Sequence, residues 1–315
     1  MSVKKYVSMT RPDHWVKNVF MLPGTAVALI EVDLPLAEVI YPLVIGFVSL
    51  CLVASSNYVI NEVLDAKFDK YHPIKKYRPA VNQRISLKVA YLEYAGLLVA
   101  GILLGYVGVN FLFALALVLL AVCGFFYNVK PFRMKDRVYI DVIFESFNNV
   151  IRLLLGWFVV SMTFIPPFSL IISFWAAGAF LMATKRYAEY REIGDPVRAG
   201  LYRRSFKYYN ERTLLMSSFF YAINFAFFFG LFLYKYRIEY ILLYPVFAWL
   251  FTWYLFIAMQ PNSAAQNPHK LLKEKILMLL LACTVVGLFI LTFLDIPVMQ
   301  VLLKNYYITM GGSGK

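Results

Sequence analysis

NYVINEVLDAKFDKYHPIKKYRPAVNQR, residues 57–84, is the stretch from which the reading of the chain proceeds. It leaves a long apolar run and then places Asn61, Glu62, Asp65 and Asp69 within about two helical turns. Asn61, Asp65 and Asp69 recur every four residues, so on a helix they share one face. Carboxylate and amide oxygens at that spacing are hard ligands suited to Mg²⁺, which binds phosphates through its open positions. The basic cluster that follows, Lys70, Lys75, Lys76, Arg78 and Arg84, can neutralise remaining phosphate charge. The competing reading is a solvated loop with ordinary helix-end charges.

Composition sets the class. Of 315 residues 61% are hydrophobic and 16% charged, with a mean hydropathy of +0.65. A soluble protein of this length cannot bury so much apolar surface, so the chain reads as an all-α, polytopic membrane protein. MSVKKYVSMTRPDHWVKN at the start is too polar for a cleavable signal peptide, so the first span is expected to act as its own insertion signal. The formal net charge of +13 fits the positive-inside rule, and no nucleic-acid partner is assigned. Cys51, Cys123 and Cys283 sit in apolar runs without partner spacing and read as small buried hydrophobes. A single helical domain is expected over 1–310, with GGSGK at 311–315 as an appended remnant.

Runs of apolar residues predict about nine spans, near 18–32, 36–60, 86–109, 111–128, 139–161, 168–186, 213–235, 239–259 and 275–295. Pro23-Gly24 breaks the first. Alternate loops carry nearly all the Lys and Arg, whereas the opposite ones are short and poor in them, with Glu31, Asp33 and Glu38 in the first. The basic side is therefore the cytoplasm of an inner (cell) membrane, with the N-terminus in it and the C-terminus outside. A bundle of about nine transmembrane helices with a cytoplasm-facing central cavity follows.

Every candidate functional group lies at the basic ends of the spans. Lys17 and Asn18 precede the first span. Tyr127, Lys130 and Arg133 follow the fourth, and Lys185, Arg186, Glu189, Glu192 and Asp195 follow the sixth. Topology signalling explains isolated cations but not acidic residues among them. The fifth span carries Asp141, Glu145, Asn148, Asn149 and Arg152 at three- and four-residue steps, one polar stripe on a helix. Ionisable groups in a bilayer normally face protein or a watery cavity. An Asp/Glu–Arg lock between helices is the alternative to a substrate-holding wall with Arg152 as an anion contact. His14, His72 and His269 are far apart and lack metal-ligand spacing.

NEVLDAKFD resembles the first Asp-rich motif of the UbiA superfamily of intramembrane prenyltransferases, N-D-x-x-D-x-x-x-D. Asn61, Asp65 and Asp69 match it, and Glu62 replaces its first Asp while keeping a carboxylate. YNVK, with Tyr127 and Lys130, is similar to the family's short motif after the fourth span. Within the superfamily RPDHWVKN (11–18), DKYHPIKKYRP (69–79) and ATKRYAEYRE (183–192) resemble the decaprenyl-phosphate phosphoribosyltransferase branch. Where prenyl-diphosphate users carry a second Asp-rich motif, this chain has Lys185 and Arg186 with Glu189, Glu192 and Asp195.

The resemblance implies Mg²⁺-dependent transfer of 5-phosphoribose from phosphoribosyl diphosphate to a polyprenyl phosphate, releasing diphosphate. It assigns Asn61, Glu62, Asp65 and Asp69 to the metal, with Asp65, Asp69 and Asp141 catalytic. Asp141 is expected to stabilise an oxocarbenium-like ribose. Lys17, Asn18, Asn61, Tyr127, Lys130, Arg133, Glu145, Arg152, Lys185, Arg186 and Glu189 are expected to bind substrate. The partners are these two substrates and the bilayer, with a homo-oligomer left open. The rivals are a prenyltransferase of the same fold acting on an aromatic or lipid acceptor, and a transporter or lipid flippase. The last usually shows helices broken at mid-membrane or an internal repeat, and neither is evident here.

Overall fold

A computed structural model describes residues 3–32, 34–82, 85–266 and 268–300; Asp33, Arg84, the His269 side chain and the 311–315 tail lie outside the described residues. It is all helix, with no strand among the described residues. The long helices are α1 (Leu22–Val32), α2 (Leu36–Asp69), α3 (Leu87–Gly108), α4 (Phe111–Asn128), α5 (Ile140–Phe158), α6 (Phe168–Ile193), α7 (Glu211–Tyr236), α8 (Tyr244–Met259) and α9 (Lys275–Phe293). A 3₁₀ stretch, Pro12–Met21, leads into α1, and a short helix, Pro196–Tyr202, follows α6. Among the described residues eight helices are long and apolar enough to cross a membrane, Lys4–Val32 being the first. The expected fifth span, α5, is not among them, because Asp141, Glu145 and Arg152 interrupt its 19 residues. The mean hydropathy is explained by side chains such as Leu92, Val107, Phe219, Ile223, Phe289 and Phe293, all exposed on the outside of the bundle.

Two expected boundaries move, for one reason. α2 has 34 residues and α6 has 26, so they run roughly 50 and 40 Å at 1.5 Å per residue, beyond a hydrocarbon core of about 30 Å. Charged residues end the apolar run at 60 and 186 but not the helix. Asn61, Glu62, Asp65 and Asp69 therefore sit on the last turns of α2, and Lys185 to Glu192 on the last turns of α6, instead of in loops.

α5 lies at the centre, packed against α1, α4 and α6. Its polar stripe faces inward, while Phe147 on the opposite side is exposed. Pro23-Gly24 does not break the first span: Pro23 falls in the first turn of α1, where a missing N–H costs nothing. Gly24 is a contact point instead. A Cβ there would lie 2.0 Å from the Leu153 carbonyl oxygen, and one on Gly156 of α5 would lie 1.8 Å from that of Met21. Thr25 Oγ1 also donates to the Gly156 carbonyl at 2.9 Å. Gly156→Ala is expected to push α1 from α5 and to cost about 1–3 kcal/mol of stability, read as a lower thermal midpoint of the purified protein.

Candidate active site

The ends of α2, α4, α5 and α6 and the segments after them converge on one side of the bundle. Buried carboxylates there organise it, each already holding cations. Asp65 Oδ1 accepts from Lys135 Nζ at 2.6 Å and from Arg133 Nη2 at 2.7 Å. Lys135 Nζ also donates to Asn128 Oδ1 at 2.6 Å and to Asn61 Oδ1 at 3.3 Å. The Lys135 ammonium thus sits among three oxygens, from α2 and α4. Burial lowers it to about 8 against the opposing pull of Asp65.

Asp69 is held by Arg78 Nη1 at 2.6 Å; burial works against the Arg78 charge, but Asp69 outweighs it and raises the guanidinium above its ordinary value. Glu62 is turned away. It accepts from Arg11 Nη2 at 3.0 Å and from the Ala80 N–H at 3.3 Å, and so anchors the N-terminal segment.

On α5 and α6 the organising group is Arg186. It pairs with Glu145 through Nη2, with Glu189 through Nη1 at 3.3 Å and with Asp141 through Nε at 3.5 Å. Expected to hold phosphate, it is instead buried and enclosed by carboxylates. Asp141 is enclosed likewise. It is 0% exposed and takes Tyr209 Oη at 2.8 Å, Ser205 Oγ at 3.3 Å and Arg203 Nη1 at 3.6 Å. With these contacts it tethers the 203–209 segment. Glu145 is the least enclosed of these carboxylates: its side chain is 25% exposed and it accepts from Tyr127 Oη at 2.6 Å.

Glu189 is engaged by protein groups too. It accepts from Lys75 Nζ and from Tyr202 Oη at 2.9 Å, and His72 Nε2 approaches it at 3.4 Å. His72 Nδ1 accepts the Ile74 and Lys75 N–H groups at 3.1 and 3.2 Å, and burial keeps the ring below its ordinary value, hence neutral. Glu189 thereby gathers the 70–78 segment, α6 and the Pro196–Tyr202 helix into a cap. His72, Lys135, Asn128, Tyr202 and Arg203 were missed as site residues. For His72 the signal was its place in DKYHPIKKYRP; the others become visible only once the chain folds back. Lys130, expected in the site, is exposed, and Lys135 takes the place foreseen for it.

Three expected cations stand outside this pairing. Lys17 and Lys185 are half-buried and both lie within coulombic reach of Glu145, but neither forms an ion pair among the described residues. Arg152 is buried and meets only neutral oxygens: Asn18 Oδ1 at 3.1 Å, the Asn148 carbonyl at 3.2 Å and Asn149 Oδ1 at 3.3 Å. Asn18, itself buried, is oriented by its bond to Cys51 Sγ at 3.2 Å. Buried cations without carboxylates mark the place where an anion belongs. Cys51 is buried as expected, whereas Cys283 is exposed on the apolar surface.

For Mg²⁺ the donor chemistry fits. No group of three or more His, Cys, Asp or Glu side chains converges among the described residues. Asn61 and Asp65 nevertheless aim hard oxygens at one point, where an ammonium now stands in for a cation, and Asp69 follows one turn on.

Sequence comparison agrees with this architecture. The profile of the UbiA prenyltransferase family matches residues 20–279. A relative from Mycolicibacterium smegmatis named decaprenyl-phosphate phosphoribosyltransferase is 31% identical over 59% of this chain and 57% of its own length. One of the same name from Corynebacterium glutamicum is 28% identical over 62% and 58%. The chain thus spans less than two thirds of the length of these relatives. The structure of a UbiA homolog from Archaeoglobus fulgidus bound to DMAPP and Mg²⁺ superposes with a TM-score of 0.66 at 20% identity, covering 92% of this chain and all of that one. The profile match extends from the 3₁₀ stretch into α9 and the fold agrees along the same length, so this multi-pass membrane protein belongs to the UbiA prenyltransferase family.

Proposed function

We propose that this transferase moves 5-phosphoribose from phosphoribosyl diphosphate to a polyprenyl phosphate and releases diphosphate. The observation that carries the reading is the set of Lys17, Arg152 and Lys185, cations without carboxylate ion pairs that all lie within coulombic reach of Glu145. A donor bearing a 5-phosphate as well as a diphosphate needs such cations, and the names of the relatives from M. smegmatis and C. glutamicum point the same way. The carboxylates of α6 are engaged by Arg186, Lys75 and Gln266, which leaves no second acidic cluster for a prenyl diphosphate.

Asn61, Asp65 and Asp69 would hold Mg²⁺, which when bound supplies positive charge to the diphosphate leaving group. Arg152, oriented by Asn18, binds a phosphate together with Lys17 and Lys185. Glu145, aimed by Tyr127 and Arg186, faces the ribose and stabilises positive charge developing at C1. The acceptor phosphate is already anionic, so no general base is required, in keeping with a neutral, backbone-bound His72. Attack opposite the leaving group inverts C1. The cap gathered by Glu189 excludes water from the reacting carbon. The positive-inside rule places this end of the bundle in the cytoplasm.

A second reading, prenyl transfer to an aromatic or lipid acceptor, is favoured by the fold neighbour bound to DMAPP and Mg²⁺. One assay separates them. Purified protein given radiolabelled phosphoribosyl diphosphate and polyprenyl phosphate is expected to label the lipid, and only with Mg²⁺ present. Labelling from a prenyl diphosphate and an aromatic acid instead selects the second reading. In the same assay Arg152→Gln is expected to raise the KM for a phosphate-bearing substrate by about ten- to a hundredfold, the value of a charged hydrogen bond.

A further inference from the structure

A cavity of ≈ 330 Å³ lies away from this site, between the end of α8 and the start of α9. Its mouth is lined by Lys270, Lys273 and Glu274 and its wall by Trp253 and Phe256. Both lysines are exposed. The Trp253 Nε1–H is buried and donates to nothing among the described residues, although such a group normally finds an acceptor. Below the mouth, Trp249, Phe256, Ile276 and Leu279 form an exposed apolar strip on the two helices. The cavity lies at the same end of the bundle as the candidate site, since Gln266 Nε2 donates to the Ala188 carbonyl of α6 at 3.3 Å.

We infer that this cavity holds the headgroup phosphate of an anionic phospholipid, with an acyl chain along the strip between α8 and α9. Two lysines against one glutamate leave the mouth positive, and juxtamembrane lysines near an anionic headgroup bind with useful strength. The unsatisfied indole N–H supplies a donor at the depth where aromatic side chains meet the interface. A zwitterionic headgroup satisfies the donor but gains nothing from the excess positive charge. The occupant is a structural lipid of the bilayer, and the inference does not depend on which group the active site transfers.

The test uses the full chain in phosphatidylcholine nanodiscs doped with lipid brominated on its acyl chains, which quenches nearby tryptophan. Brominated phosphatidylglycerol is expected to quench more than brominated phosphatidylcholine at equal content. Trp249→Phe and Trp253→Phe combined are expected to remove that difference, since these are the two tryptophans of the strip and the cavity wall, which assigns it to this place. Lys270→Gln and Lys273→Gln should each lower the preference for phosphatidylglycerol roughly fivefold, the factor equivalent to about 1 kcal/mol per lysine. Glu274→Gln should raise it, a gain that misfolding does not produce. Equal quenching by the two lipids, or a preference that survives loss of both lysines, overturns the inference. Displacement of the brominated lipid by polyprenyl phosphate but not by unlabelled phosphatidylglycerol also overturns it, by giving the cavity to the substrate lipid.

Discussion

Asp65→Asn is expected to reduce turnover by about 10²–10³-fold, the scale on which single electrostatic contacts act in active sites. The substitution keeps the shape of the side chain but removes the charge from the oxygen cage, and with it the strongest of the donors that would hold Mg²⁺. It also leaves Lys135 and Arg133 facing an amide. The loss of stability is smaller, about 1–3 kcal/mol. Asn61 and Asn128 still solvate the Lys135 ammonium, and Lys135 already titrates near 8 and can shed its proton. Lipid labelling and thermal unfolding measured on one preparation check both statements. Unchanged turnover removes Asp65 from the reaction.

Arg186→Met is expected to have the largest effect on the fold. It leaves Asp141, Glu145 and Glu189 without their common partner, and removing one side of a buried ion pair costs about 3–5 kcal/mol. Asp141 keeps Tyr209, Ser205 and Arg203, and Glu189 keeps Lys75 and Tyr202. The damage should therefore concentrate at Glu145. Arg186→Lys restores the charge but not the fork that reaches three carboxylates, and should fall between. Thermal midpoints of the three proteins in detergent order them. A Met variant as stable as the parent shows that Arg186 is not the tie proposed here.

Much of this arrangement was legible in the sequence. The four-residue rhythm of Asn61, Asp65 and Asp69 survives because α2 continues past its apolar run. The α5 stripe was legible because ionisable groups at helical spacing in an apolar context have few places to go. Which cations are free was not legible. Lys130 and Lys135 are equally basic neighbours on one segment, and only the fold-back after α4 decides that Lys135 is buried and Lys130 exposed. Arg152 and Arg186 likewise look alike in sequence. Arg186 meets three carboxylates and Arg152 meets amides because of how α5 and α6 cross. Asp141 and Glu145, one turn apart, part ways for the same reason, the first closed over by the 203–209 segment and the second left partly exposed.

The claim on which the functional reading rests is that Lys17, Arg152 and Lys185 receive substrate phosphate. Equilibrium binding of phosphoribosyl diphosphate in the presence of Mg²⁺ to the purified protein and to Lys17→Gln, Arg152→Gln and Lys185→Gln tests it most directly. At least one of these is expected to weaken binding by about tenfold or more, while Lys130→Gln, at an exposed position, leaves it unchanged. Parental affinity in all three, or a loss confined to Lys130→Gln, contradicts the account.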